Sequence, residues 1–522
     1  MPDQAREAHA TTVMLDGSSL SIGQVHDVAR LSAPIHLQDA ALARVQRSFD
    51  MLAKLADGDH AVYGVNTGFG IFASRKIPPE LSRALSRNLV LSHAVGLGEP
   101  YPDDVVRAAM LIRINSLASG HSGVDPTILT TLMSMLNKNV VPVIPQQGSL
   151  GSSGDLAPLA HLALVLSSPI DPEREEYSGE ASFGGTRMSG KAAMEAAGIS
   201  RPHLGPKQGL ALINGATFTA AMLALATHDT GLLISAAEAA TALTFEALFG
   251  IQDALDERLH HARRHPGQMK TARHLKNLLS GSEFSGKTSR VQDPYSLRCA
   301  PQILGPAWET LAFVEDVVGR ELNAATDNPL LFDDTAISGG NFHGQPLGLC
   351  ADYLKIALSE LAAVAERRIF KLLSGEQNIG LPMMLVADEQ KEGFHSGLMM
   401  LQYTAASLVL ENQHLAAPDS IHSLPTSAGQ EDHNANSTSA ARHLMSVIAN
   451  ATFVIAIEMI SAAQAIRIRH HRSPELRLGE GTAPLYEWLC SRVPFISEDR
   501  PLSNDVEHVA KEIMAGSLPS TT

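Results

Sequence analysis

The stretch Gln146-Gln-Gly-Ser-Leu-Gly-Ser-Ser-Gly-Asp-Leu-Ala-Pro-Leu-Ala-His161 is the most distinctive segment of this 522-residue chain. Residues 148–154 contain three glycines and three serines, and an apolar run from Leu156 to Leu166 follows. Glycine permits backbone conformations that other residues resist. Asp155 and Pro158 are residue types typical of a helix N-terminus. The pattern therefore predicts a strained loop at the positive end of a helix.

Four interpretations of this loop differ in the chemistry they predict. A phosphate-binding P-loop requires Gly-Lys-Ser/Thr, and no lysine follows the glycines. A hydrolase nucleophile elbow requires Gly-x-Ser-x-Gly, which Gly151-Ser-Ser-Gly154 does not match. An ordinary helix-entry loop stays open as the third interpretation. In the fourth, the backbone nitrogen of Gly154 attacks the carbonyl carbon of Ser152. Loss of water from the ring and from the Ser153 side chain then leaves an electrophilic exocyclic methylene.

Composition and charge narrow the classes of protein to which the chain can belong. The sequence is 44% hydrophobic and 5% aromatic, which favours a soluble, mainly helical protein. Its net charge of −15 argues against nucleic acid or anionic membranes as partners. Three scattered cysteines suit reduced thiols, and the polar N-terminus lacks the apolar core of a secretory signal. We therefore expect a cytoplasmic protein whose main partners are neither nucleic acid nor anionic membranes.

Hydrophobic periodicity predicts the architecture. After a mixed N-terminal domain at residues 1–207, which carries the glycine-rich loop, residues 208–522 have the pattern of a helical-bundle domain with C-terminal helices. Its long apolar helices are predicted at 208–228, 230–249, 301–323, 348–374, 396–416 and 439–467. In the N-terminal domain, Val13-Met-Leu15 predicts a short strand, a helix is predicted from about Ile35, and residues 61–70 predict a strand entering a glycine-rich loop. The predicted fold class is therefore mainly α. Separately, the sequence predicts no metal site.

The segment Ser149-Leu-Gly-Ser-Ser-Gly-Asp-Leu-Ala-Pro-Leu-Ala-His161 resembles the signature of the aromatic amino acid ammonia-lyases, which include the histidine, phenylalanine and tyrosine lyases. In that family an Ala-Ser-Gly triplet cyclises to 4-methylidene-imidazol-5-one (MIO). The resemblance covers about residues 12–515 and implies an ammonia-lyase/fumarase-like fold. It implies an MIO formed from Ser152, Ser153 and Gly154, with no metal or nucleotide, although Ser152 stands where alanine is usual. It also implies a homotetramer whose sites are assembled from neighbouring subunits.

Other motifs of the family supply the expected catalytic and binding residues. The loop Tyr63-Gly-Val-Asn-Thr-Gly-Phe-Gly70 matches the loop of the catalytic tyrosine, which implies that Tyr63 removes the β-proton of the substrate. A tyrosine can do this near neutral pH only if its pKa lies below the usual value of about 10. Ile213-Asn-Gly215 implies that Asn214 positions an amide against the MIO and the substrate. Val291 to Cys299 implies that Arg298 holds the substrate carboxylate, with Gln292 and the catalytic residue Tyr295 beside it.

Three further positions indicate the substrate. At Ser92-His93 and at Glu431 the sequence resembles that of the histidine lyases. The family resemblance also implies that Phe342 lies at the substrate. Together they predict the conversion of L-histidine to trans-urocanate, a step of histidine catabolism. A phenylalanine or tyrosine lyase, a 2,3-aminomutase with the same MIO, a lyase for a modified histidine and an inactive oligomeric paralogue stay open as alternatives. Residues 387–395 depart from the family pattern, and so does His433-Asn-Ala-Asn436, where His-Val-Ser-Met is usual.

Overall fold

The structure is a computed structural model that describes residues 11–56, 62–78, 81–170 and 177–519. In these ranges the chain is mostly helical, as the sequence predicts. The α-helices are α1 (Ile22–Arg30), α2 (Asp39–Ala56), α3 (Ser82–His93), α4 (Asp103–Ala118), α5 (Pro126–Asn137), α6 (Leu156–Leu166), α7 (Gly190–Ala196), α8 (Gln208–Ile213), α9 (Thr217–Ala247), α10 (Glu257–Arg263), α11 (Pro266–Leu278), α12 (Tyr295–Arg298), α13 (Ala300–Glu321), α14 (Gln345–Leu373), α15 (Met399–Leu415), α16 (Ser437–Arg472), α17 (Thr482–Arg492) and α18 (Ser503–Met514).

The strands of the described residues are short and pair in four small sheets. They are β1 (Val13–Leu15), β2 (Ile35–Leu37), β3 (Leu97–Pro100), β4 (Val141–Pro142), β5 (Pro145–Gln147), β6 (Glu180–Phe183), β7 (Thr186–Ser189), β8 (Leu330–Phe332) and β9 (Thr335–Ile337). β1 and β2 pair in parallel, with Val13 opposite Ile35. The sheets β3-β5, β4-β6-β7 and β8-β9 are antiparallel. The glycine-rich loop leaves the edge of β5 and enters α6.

The chain divides into two compact units, each assembled from three stretches. The first comprises residues 1–228, 315–352 and 418–442, and the second comprises residues 229–314, 353–417 and 443–522. The sequence suggested one boundary at residue 207 instead, and that division stays a prediction about independently folding domains. All nine strands of the described residues lie in the first unit.

Helices α3, α6 and α8 of the first unit pack against one another and hold the functional loop. Helix α6 is apolar on every side, and all its residues except Leu156 and His161 are buried. A helix that is hydrophobic all round is stable only inside a core. Helix α6 therefore holds the glycine-rich loop that precedes it next to α3 and α8. Both of these helices carry predicted site residues at their C-terminal ends.

In the second unit, buried carboxylates cross-link the long helices into a bundle. Glu458 on α16 and Arg368 on α14 are both fully buried, and the guanidinium donates two hydrogen bonds of 2.6 and 2.8 Å to the carboxylate. Thr244 on α9 donates a third, of 2.8 Å. Glu238 on α9 likewise accepts from Trp308 on α13 at 2.9 Å. Buried charges are tolerated when they are paired and hydrogen-bonded in this way.

Three local predictions need correction. The segment at Ile35 is a strand, and its helix begins only at Asp39. The helices predicted at 208–228 and 230–249 are a short α8 and one continuous α9, because the Asn214-Gly215 pair breaks the first while nothing interrupts the second. No strand forms over residues 62–70, where the described backbone turns instead, and residue 61 lies outside the described ranges.

Two of the described helices, α9 and α16, are long and apolar enough to cross a bilayer by length and composition. However, 78% and 72% of their most apolar windows are buried inside the molecule. Core helices of large bundles have the same composition, and the uncharged run from Gly209 to Thr227 is buried along its whole length.

Candidate active site

The tripeptide Ser152-Ser153-Gly154 runs along the break between α8 and α9. Gly154 has a φ of +79° and pairs with Gly215 in a parallel bridge. A Cβ atom on Gly154 would lie 2.1 Å from the carbonyl carbon of Gly215, and the Asp155 nitrogen donates to the Gly215 oxygen at 2.9 Å. Both the backbone conformation and the missing space therefore require glycine at position 154.

Asp155 stands directly before α6, as predicted, but its side chain does not cap the helix. The fully buried carboxylate instead accepts from the Ser149 hydroxyl at 2.8 Å, the Thr219 nitrogen at 2.8 Å and the Thr438 hydroxyl at 2.5 Å. These donors come from the loop itself, from α9 and from α16. Asp155 thus fastens the loop to two helices that are distant in sequence.

Asn214 holds the carbonyl of the tripeptide. It lies at the C-terminal end of α8 with an extended backbone, not inside a helix as predicted, and it is 3% exposed. Its Nδ2 donates to the Ser153 carbonyl oxygen at 2.7 Å. Its buried Oδ1 has no hydrogen-bond partner among the described residues. Because a buried amide oxygen without a donor is costly, Asn214 is poised to accept from a bound molecule.

A cavity of about 1080 Å³ opens in front of the tripeptide, entirely within the first unit. It brings together eight of the predicted site residues, although they are scattered over more than 360 positions of the chain. These are Tyr63, Ser92, His93, Ser152, Ser153, Asn214, Phe342 and Glu431. Gly154 lies behind them, against Gly215.

Tyr63 faces this cavity from the glycine-rich turn after α2. Its hydroxyl oxygen accepts from the Gly70 nitrogen at 3.3 Å, and its ring meets Phe69 edge to face. Burial raises the pKa of Tyr63 above 10, the negative charge of Glu431 adds to the rise, and the Gly70 hydrogen bond opposes it. The sequence argument required a lowered pKa. In the single chain the phenol is instead protonated at neutral pH, because desolvation disfavours the phenolate.

His93 ends α3 with a defined tautomer. Its Nδ1 lies 2.8 Å from the Leu89 carbonyl oxygen and 3.0 Å from the Ser92 hydroxyl, which itself donates to Leu89. A carbonyl oxygen only accepts, so Nδ1 carries the proton. Burial lowers the pKa of His93, although the Leu89 hydrogen bond and the Glu431 charge oppose this shift. The neutral ring therefore has Nε2 as a hydrogen-bond acceptor.

Glu431 belongs to a tight loop that closes on Thr426 by an antiparallel bridge. The Thr426 nitrogen donates to the Glu431 carbonyl at 2.8 Å, and the Thr426 hydroxyl donates to Oε2 at 3.1 Å. The half-buried carboxylate keeps acceptor capacity toward the cavity that it lines. Together with His93, Glu431 gives the cavity two hydrogen-bond acceptors.

Gln292, Tyr295 and Arg298 belong to the second unit and are not among the residues that line this cavity. Tyr295 is 69% exposed, and the Arg298 guanidinium lies over its ring at 4.8 Å. The Arg298 Nε donates to the Asp293 carbonyl at 3.0 Å. Tyr295 and Arg298 thus contact each other on the short helix α12, and the role of all three residues at the substrate stays a prediction.

One residue behind the loop was not foreseen from the sequence. Arg113 on α4 is fully buried, and its guanidinium donates to the Thr217 hydroxyl and, at 3.3 Å, to the Ala211 carbonyl. Burial lowers its pKa to about 10, so the side chain remains charged at neutral pH. A Cβ on Gly215 would lie 2.8 Å from its Nη2. An arginine flanked by the apolar residues 108–112 and Ile114 was the available signal.

Comparison with known proteins agrees with this geometry. The family described as aromatic amino acid lyase matches residues 20–490. The chain is 45% identical over 511 residues to the histidine ammonia-lyase of Gloeobacter violaceus, covering 97% of this chain and 96% of that protein. Among solved structures, a phenylalanine aminomutase from Pantoea agglomerans has a TM-score of 0.89 at 32% identity and covers 97% of this chain and 99% of its own. The ergothionase of Treponema denticola has a TM-score of 0.88 at 29% identity, with the same coverage.

Proposed function

This chain belongs to the aromatic amino acid lyase family and is a carbon–nitrogen lyase, and we propose that it eliminates ammonia from L-histidine to give trans-urocanate. The observation that carries the choice of substrate is the pair of acceptors in the cavity, the His93 Nε2 and the Glu431 carboxylate. An imidazolium ring has two N–H donors, a phenol has one donor and a phenyl ring has none. A phenylalanine side chain would offer no donor to the His93 Nε2 or to the remaining acceptor capacity of the Glu431 carboxylate, which selects against it.

The residues at 152–154 fit the self-formed MIO. Gly154 has the φ and the lack of space that only glycine satisfies, and Ser153 lines the cavity where an electrophile would be used. The unpaired Oδ1 of Asn214 lies next to the same tripeptide. When formed, the ring would supply an electrophilic methylene for the substrate amine.

The other residues of the cavity have roles that follow from their chemistry. Tyr63 removes the β-proton, Asn214 orients the substrate through its free amide oxygen, and Phe342 packs against the substrate ring. His93 and Glu431 bind the imidazole and so direct the side chain away from the tripeptide. Proton abstraction by Tyr63 requires that substrate binding or assembly bring positive charge close enough to lower its pKa again.

Assembly supplies such a charge in our proposal. The protein forms a homotetramer in the cytoplasm, and each cavity receives Gln292, Tyr295 and Arg298 from a neighbouring copy. The exposure of Tyr295 and its contact with Arg298 on α12 support this arrangement. An arginine beside the cavity would bind the substrate carboxylate and stabilise the Tyr63 phenolate.

The direct test is ultraviolet detection of product with histidine, phenylalanine and tyrosine in parallel. Urocanate from histidine alone supports the proposal. Cinnamate or coumarate would contradict the roles of His93 and Glu431. A β-amino acid product would indicate an aminomutase. Activity with a modified histidine alone would indicate a lyase for that modified amino acid.

A second test addresses the prosthetic group. The peptide that contains Ser153 should be lighter than its sequence mass by two water molecules. Ser153→Ala cannot form the methylene, so we expect both the mass deficit and the turnover to be lost. Normal turnover by Ser153→Ala would refute the MIO proposal. An unmodified wild-type peptide without activity would indicate an inactive paralogue.

A further inference from the structure

Two departures of the sequence from the family pattern meet in space. Ser152 stands where alanine is usual and Asn434 where valine is usual. The Ser152 hydroxyl donates a hydrogen bond to the Asn434 Oδ1, although 282 residues separate the two along the chain. Their side chains are buried together, since Ser152 is 7% and Asn434 is 1% exposed. The two side chains thus form a buried polar pair in which the hydroxyl donor and the amide oxygen acceptor satisfy each other.

The orientation of the Asn434 amide is fixed by its surroundings. Its Nδ2 donates to the Leu424 carbonyl oxygen, and its backbone nitrogen donates to the Ser423 hydroxyl at 2.8 Å. Because a carbonyl oxygen accepts only, the NH₂ group faces Leu424 and Oδ1 faces Ser152. Asn434 is therefore a rigid acceptor that points at the first residue of the tripeptide.

Neighbouring residues of the tripeptide are held by other segments. The Gly344 nitrogen donates to the Gly151 carbonyl at 3.0 Å, and a Cβ on Gly151 would lie 2.0 Å from the Ser437 hydroxyl oxygen. The Ser153 carbonyl is held by Asn214. Position 152 lies between these two anchors, and the bond to Asn434 is the side-chain contact that holds it.

We propose that the Ser152–Asn434 hydrogen bond positions the Ser152 carbonyl carbon for ring closure, which makes Asn434 a positioning residue for maturation. This inference rests on the proposed function. A bond forms from the Gly154 nitrogen to the Ser152 carbonyl carbon. The former carbonyl oxygen leaves as water with the amide hydrogens of Gly154 and Ser153. The Ser153 hydroxyl leaves as a second water with the Ser153 α-hydrogen. No oxidant or reductant is needed.

The proposal requires the side chains at positions 152 and 434 to be both polar or both apolar. Asn434→Val leaves the Ser152 hydroxyl buried without an acceptor, and Ser152→Ala leaves the Asn434 oxygen without a donor. In Asn434→Val the unpaired Ser152 hydroxyl can turn toward another acceptor and draw residue 152 away from the attacking nitrogen. In Ser152→Ala residue 152 loses the side-chain bond that holds it in place. The double variant restores the apolar pair that is usual in the family and removes both unpaired groups.

The experiment measures ring closure itself by the mass of the peptide that contains residues 152–154, at intervals after expression is induced. We expect wild type to lose two waters completely. Each single variant should close the ring about fivefold or more slowly, the effect of losing one hydrogen bond. The double variant should return to near the wild-type rate. Should Asn434→Val be insoluble, Ser152→Ala gives the same test, because Asn434 keeps its bonds to Leu424 and Ser423.

Asn412→Val is the matched control for a loss of stability alone. Asn412 is also fully buried, and its amide bonds the Val447 carbonyl and Asn450 within the second unit. We expect this variant to lower the thermal midpoint and leave the rate of ring closure unchanged. Ring closure at the wild-type rate in both single variants, or a double variant as slow as the single ones, would overturn the inference. If the wild-type peptide instead has its full sequence mass, the ring does not form and the proposed function itself is contradicted.

Discussion

The carbonyl oxygen of Leu89 determines what the end of the cavity can bind. It accepts a hydrogen bond from the protonated Nδ1 of His93, which leaves Nε2 as an acceptor, and burial favours the neutral ring by lowering its pKa. Specificity for imidazole would thus depend on a backbone oxygen that acts through the tautomer of His93. Sequence comparison can point to His93, but the tautomer becomes apparent only when the helix is built.

His93→Phe should exchange the substrate preference. Loss of the acceptor should reduce kcat/KM for histidine by about 10- to 100-fold, the cost of an unpaired polar group, and should raise turnover of phenylalanine. The measurement is kcat/KM for both amino acids. Ser92→Ala serves for comparison, because it removes a hydroxyl next to His93 and leaves the Leu89 bond intact. Unchanged histidine turnover in His93→Phe would contradict the role of His93.

Glu431 should control the pH dependence of the base. Its negative charge raises the pKa of Tyr63, and the phenolate is the active form, so activity rises with pH toward that pKa. Removing the charge in Glu431→Gln lowers the pKa, and the ascending limb of the kcat/KM profile should move to lower pH. The limb should keep its position in Asp432→Asn, which removes an adjacent exposed carboxylate. A shift to higher pH, or none, in Glu431→Gln would argue against Tyr63 as the base.

At the scale of secondary-structure elements, the sequence predicted the helices that are long and periodic, and it failed where packing between distant segments decides the backbone. The residues at Ile35 became a strand because Val13 to Leu15 lies beside them, which periodicity cannot reveal. Asn214 ends a helix because Gly215 meets Gly154. The candidate site residues were predicted from the family motifs, and eight of them line one cavity. Their hydrogen bonds, the protonated state of Tyr63 and the buried Arg113 required the structure.

The contact between the loop and the α8–α9 break gives a prediction about Gly154. Gly154→Ala places a Cβ against the backbone of Gly215, and Gly185→Ala provides a matched control. Gly185 has a φ of +78°, almost equal to the +79° of Gly154, but no atom lies within 4 Å of its Cβ position. Both variants should lose about 1–2 kcal/mol of unfolding free energy from backbone strain.

Gly154→Ala should lose clearly more than Gly185→Ala, and its tripeptide should remain uncyclised. Urea unfolding and peptide mass measure the two effects separately. Equal unfolding free energies of the two variants would mean that the close approach of Gly154 and Gly215 does not contribute to stability.

At the scale of the whole molecule, the two groups of predicted site residues lie in different units of one chain. If neighbouring copies complete each cavity, two inactive variants should restore activity when they are co-expressed. Ser153→Ala lacks the electrophile and Arg298→Ala lacks the carboxylate ligand. In mixed tetramers, about a quarter of the cavities should combine an intact tripeptide with an intact arginine from another copy.

Activity of the co-expressed pair is compared with that of each variant alone, and size-exclusion chromatography with light scattering verifies that mixed oligomers form. Absence of complementation in mixed tetramers would mean that Arg298 acts on the cavity of its own chain or on none.

The long sequence separation of the loop's contacts has a consequence for synthesis on the ribosome. Asn434 is translated 282 residues after Ser152, which at about 5–20 residues per second corresponds to roughly 15–60 s. Thr438, which binds Asp155, follows it. The nascent chain therefore carries a tripeptide without its contact to Asn434 for about half of its translation. We expect a message truncated before codon 434 to yield a chain in which the tripeptide stays linear.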